Sequence, residues 1–210
     1  MRSVFVLLLV TFGAAVMALE ILSSSLMSPY FGGSIYIWGS IISSFMVHFS
    51  IGYVLGGWFS RRWPRLKVLS GLLFLGSLWV LLIPLIHQPI CAAISERFED
   101  VRLGSLVAMN LLFLVPISVM AMVSPYIIEI ASTRYRHSAL TAGMILFIST
   151  VGSFAGTNLT AFYLIGLFPV SRIIFGIGGL CLAVSLAVLS LPVDRRLALS
   201  TPKEERLRIL

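Results

Sequence analysis

The chain has 210 residues, of which 59% are hydrophobic and only 11% charged, and its mean hydropathy is +1.04. Soluble domains carry about 25% charged residues, so a soluble globular fold is excluded. The net charge of +7 does not mark a nucleic-acid binder, because the basic residues fall in short gaps between apolar runs rather than on one amphipathic face.

Six apolar runs are long enough to span a bilayer, at about 20 residues each. They cover roughly 3–26, 35–59, 68–86, 104–130, 139–167 and 171–192. The expectation is an all-α, polytopic membrane protein: a six-helix module over 1–192 and a short basic tail over 193–210. The first run, with Arg2 ahead of it and small residues near Ala18, has some marks of a signal peptide. It continues to Leu26 and is taken as a helix.

The gaps set the orientation. The first, 27–34, carries no charge, whereas the stretch Gly52 to Lys67 ends in Arg61, Arg62, Arg65 and Lys67 around Trp63 and Pro64. The gap at 87–103 is mixed in charge, and the one at 131–138 holds Arg134, Arg136 and His137. With both termini cytoplasmic, twelve of the fifteen Lys and Arg fall on the cytoplasmic side. Glu129, at the cytoplasmic end of run four, is placed to pair with Arg61, Arg62 or Arg134 as a lock.

The two halves share motifs in order. Ser28-Pro29-Tyr30 closes run one and Ser124-Pro125-Tyr126 lies late in run four, 96 residues on; Gly52 and Gly56 in run two are matched by Gly152 and Gly156 in run five, 100 residues on. Run one and run four cross in opposite directions, so the pattern predicts a 3+3 inverted repeat. Glycines four apart let two helices approach closely, which nominates Gly52, Gly56, Gly57, Gly152 and Gly156 for helix packing.

Ionisable and amide groups inside the bilayer are expensive and need a reason. Glu20, Asn110 and Asn158 all count to the outer half of their runs and are expected to meet, with Ser23 and Ser24 nearby. Such a carboxylate among amides could hold a cation or serve only as an interhelical hydrogen bond. His48 lies mid-way along run two. Tyr36 and Trp38, with Tyr30 and Phe31, form either an interfacial aromatic belt or a cation-binding rim.

Cys181 lies within an apolar run and Cys91 in a polar gap, depths too different for a disulfide. No zinc spacing, HExxH motif or Ser-His-Asp set is present, so no metal, cofactor or catalytic residue is assigned.

An ordered set of residues resembles the membrane portion of the bacterial fused transporter-like/spermidine-synthase proteins. It comprises Leu19-Glu20, the stretch SPYFGGSIYIWGSIISSFMVHFSIGYVLGGWFSRRWP from Ser28, SPYIIEIA from Ser124, and TAGMILFISTVGSFAGTNLTAF from Thr141. The resemblance implies a module similar to half of a major-facilitator fold, in the bacterial inner membrane. It also implies a polyamine-like cation as ligand, and a soluble synthase-like partner or a second copy of the chain. The sequence holds no strand, Gly-rich turn and helix of the GxGxxG type. Enzymatic activity is therefore not expected of this chain by itself. The remaining alternatives are a half-size transporter working as a homodimer and a structural subunit of a membrane complex.

Overall fold

A computed structural model describes residues 2–132 and 138–191, and among these every regular element is a helix. Six helices are long and apolar enough to cross a membrane. The protein is an all-helical, multi-pass membrane protein. In lipid each backbone polar group must find its partner within the segment, which is why apolar runs of this length settle as helices. The tail at 193–210, with Arg134, Arg136 and His137, lies outside the described residues.

Span one is Arg2–Phe31 and span two is Ile35–Arg62. Gly32 joins them at φ +80, a left-handed conformation that glycine adopts without a Cβ clash, and its N–H returns to the Ser28 carbonyl at 2.9 Å. Span three, Leu66–Arg97, runs further than its hydropathy suggests. Ile83, His87, Cys91 and Ile94 form a buried stripe at helical spacing, so the expected polar gap at 87–103 shrinks to the turn at 98–100. Cys91 is therefore a buried helix residue, 4.0 Å from the Met27 sulfur, and Cys91 and Cys181 are both free thiols. Asp100 caps span four by accepting from the Arg102 N–H at 2.9 Å.

Span four is broken. It runs Val101–Ala121, turns at Met122, and resumes as Val123–Ser132. Pro125 has no N–H to give to the Ala121 carbonyl, and the Met122 N–H tightens onto Val119 instead, at 3.3 Å. Span five also departs from regularity. It runs Ser138–Leu159, widens into a π-helical turn over Thr160–Leu164, and ends at Leu167; span six is Val170–Ser190.

Two parallel seams hold the bundle together. Span two lies along span four, and span five along span one. A Cβ on Gly56 would meet the Met122 Cα at 2.9 Å, and one on Gly52 would strike the Ser118 carbonyl. On the other seam, a Cβ on Gly152 would stand 2.6 Å from the Val10 carbonyl, and one on Gly156 would strike that of Ala14. These four positions thus admit only glycine, and the expected close packing is present. Gly57 is the exception: it meets nothing within 4 Å and does not pack. Span three crosses spans four and six in the opposite sense, with Gly76 against Val119 and Gly178 against Leu81.

Candidate functional site: the polar seams and a serine-lined cavity

The buried stripe of span two carries a small or polar residue at every fourth position: Ser40, Ser44, His48, Gly52, Gly56 and Ser60. Four-residue spacing keeps these on one ridge. Span four answers it. Ser105 donates to the Ser40 hydroxyl at 2.9 Å, and the Ser118 hydroxyl donates to the His48 carbonyl at 3.1 Å. His48, wholly buried, sits with Nε2 3.1 Å from the Asn110 amide oxygen, while the Asn110 Nδ2 donates to Leu106. That amide orientation makes Nε2–H the donor and leaves Nδ1 as the open acceptor. Among the described residues Nδ1 has no partner, nor has the Ser44 hydroxyl one turn earlier.

Asn110 therefore answers His48, and the expected meeting of Glu20, Asn110 and Asn158 does not occur. Span four begins at Val101, earlier than hydropathy alone indicates, which sets Asn110 deeper and level with His48 on its parallel neighbour. Asn158 turns its amide to the Phe154 carbonyl of its own helix at 2.8 Å and takes no described partner elsewhere.

Glu20 belongs to a different site. A cavity of about 110 Å³ lies among spans one, two, four and five, beside the break at Met122. At roughly 10–15 Å³ per water it has room for several. Its polar lining is Ser124, Ser149, Ser153 and Tyr53. Ser124 donates to the Ser149 hydroxyl at 3.3 Å and Ser153 to the Gly13 carbonyl at 3.2 Å. Span one lines the cavity with Gly13, Val16 and Met17. Glu20 follows them by seven, four and three residues, and so stands on the same face, one turn towards Phe31. Side chains on a helix lean towards its N-terminus, which for Glu20 is the direction of the cavity. Glu20 is half-buried, and among the described residues no side chain bonds or pairs with its carboxylate. Among the same residues, no three His, Cys, Asp or Glu side chains cluster as a metal site.

The chain matches no known protein family, no curated protein and no solved structure.

One other expectation is corrected. Arg61, Arg62 and Arg65 are exposed, and no ion pair joins them to Glu129, so the lock is not built from these charges. The turn is held instead by Tyr126, whose hydroxyl donates to the Trp63 carbonyl and to that of Arg65, the latter at 3.1 Å. Tyr126 is wholly buried, which places the second Ser-Pro-Tyr motif at this joint. At the opposite end, the Tyr36 ring is covered by the Arg102 guanidinium at 4.1 Å, so its face is taken by the chain's own cation. Trp38 is 38% exposed and makes no described ring contact, as suits an interfacial belt.

Trp79 was not singled out by its sequence context. Its indole N–H donates to the Leu112 carbonyl at 3.0 Å. That carbonyl would ordinarily accept from residue 116, which is a proline. An indole on span three thus supplies the hydrogen bond that Pro116 removes from span four. The hints were Pro116 itself and the four-residue ladder of span two.

Proposed function

We propose that the chain is a transporter-like membrane module that binds a cation at the serine-lined cavity beneath Glu20. One observation carries this reading: a half-buried carboxylate with no side-chain partner among the described residues shares a helix face with a cavity lined by three serines. Hydroxyl and carboxylate oxygens are acceptors, which match the three donors of an ammonium group. The cavity is small, so it takes the head of a polyamine-like cation while the rest of the chain passes Glu20. The break in span four adds Ala121 and Ser124 to the same wall, and Pro125 has no N–H to give to the Ala121 carbonyl.

The module is a 3+3 inverted repeat, like half of a major-facilitator fold, in the bacterial inner membrane with both termini cytoplasmic. Exchanging spans one with four, two with five and three with six turns the two–four seam into the five–one seam, which supports the repeat. The charge bias of twelve in fifteen basic residues supports the orientation. A soluble synthase-like enzyme or a second copy completes it. The second copy is favoured by span five, the least buried of the six.

The test is spermidine binding to the purified chain in nanodiscs, by calorimetry. Glu20→Gln keeps shape and removes charge, and should weaken binding about tenfold or more, the scale of a charge-assisted contact, without loss of helicity. Spermidine affinity unchanged in Glu20→Gln refutes the site. The mass of the particle in mild detergent separates monomer from dimer.

A further inference from the structure

A second and larger cavity, about 640 Å³, opens on the flank of the bundle between spans one, five and six. It falls within the range of about 300–1,000 Å³ typical of small-molecule sites. Its wall is apolar, with a floor of small residues such as Ala14, Ala18, Gly156 and Gly176, and among the described residues Arg172 is the only charged one in the lining. The π-helical turn of span five begins on this wall at Thr160.

Three helices set the depth of the groove. It reaches from Arg172 to Leu180 on span six, from Leu164 to Gly156 on span five, and from Ala18 to Val10 on span one. Each stretch is eight residues, and the one on span one sits a turn deeper, since Gly152 packs on Val10 and Gly156 on Ala14, so together they reach about 18 Å at 1.5 Å per residue. Half of a hydrocarbon core of about 30 Å is about 15 Å, so the groove has about the depth of one leaflet. A transmembrane helix of a partner would need a channel running the full thickness, and this one stops about half-way. Arg172 lies one turn into span six from Pro169, at the shallow end, and has no described partner.

We propose that this groove binds an acyl chain of an anionic phospholipid, with the lipid phosphate on Arg172. The guanidinium offers paired N–H donors in the geometry phosphate accepts. A zwitterionic lipid carries the phosphate together with a compensating ammonium, and so is held less well.

The experiment is native mass spectrometry of the purified full chain after equilibration with mixed phosphatidylglycerol and phosphatidylcholine vesicles. Wild type should retain phosphatidylglycerol in preference. Arg172→Gln should reduce that preference about tenfold, the scale of one charge-assisted contact. Arg97→Gln, at the same end but outside the groove, should leave it unchanged. Gly176 faces open space, with nothing within 4 Å of an added Cβ, so Gly176→Leu should fill the groove without a clash and lower the bound lipid. Equal preference in Arg172→Gln and wild type overturns the proposal, as does full lipid retention by a folded Gly176→Leu. Equal loss in Arg97→Gln and Arg172→Gln also overturns it, since that is general surface charge. Should Gly176→Leu not fold, the two arginine variants decide.

Discussion

A proline in a membrane helix strands the carbonyl four residues before it, and in lipid no water is available to repair the loss. Trp79 makes the repair at Leu112. Trp79→Phe keeps most of the ring and removes the donor. It should cost about 1–2 kcal/mol, towards the upper range for interhelical hydrogen bonds because the carbonyl has no helical alternative. Pro116→Ala restores an N–H to the helix, so Trp79→Phe should cost less in that background. Equal costs in the two backgrounds, measured by reversible unfolding in detergent, would show that the indole bond carries no weight. Such pairings were poorly legible in the sequence. Counting residues from the ends of apolar runs gives depth only to within a turn or so, since span four starts three residues earlier than hydropathy indicates and span one ends five later, and no such count shows that Asn110 faces span two. Glu20 itself was legible as a buried acid. The serines around its cavity were not, because Ser124, Ser149 and Ser153 come from two spans and converge only through packing.

At the scale of elements, four glycines were legible because nothing else on a lipid-embedded helix explains that spacing so directly. Gly57 shows the limit of the argument: composition does not tell which face of a helix is turned inward. The difference is testable. Leucine at Gly56 or Gly156 must push two backbones apart and should lower the unfolding free energy by about 1–3 kcal/mol or more, as overpacking does. Gly57→Leu should melt as wild type does. A similar loss at all three positions would mean that helix propensity or lipid contact, not the seams, sets the effect. Helix ends were read less well than helix centres, because Glu96 and Arg97 look like loop residues while the buried stripe beneath them continues to Ile94.

For the whole molecule, the six spans and their alternation came directly from hydropathy, and reporter fusions check the sense of insertion. Fusions after residues 64, 99, 135 and 205 should report inside, outside, inside and inside, respectively; an outside signal at 64 would reverse the orientation on which the charge argument rests. The seams were not foreseeable at this scale, since hydropathy says nothing about which helices become neighbours. They have a consequence for the order of events in synthesis. Each glycine ladder finds its partner in the other half of the chain: span two on span four, span five on span one. Spans one, two and three enter the bilayer before those partners have been made. During that interval the ridge from Ser40 to Ser60, with His48 in its middle, faces lipid that can satisfy none of its polar groups. A nascent chain paused after span three is therefore a vulnerable species, dependent on whatever shelters it at the site of insertion, and it becomes secure only when span four arrives.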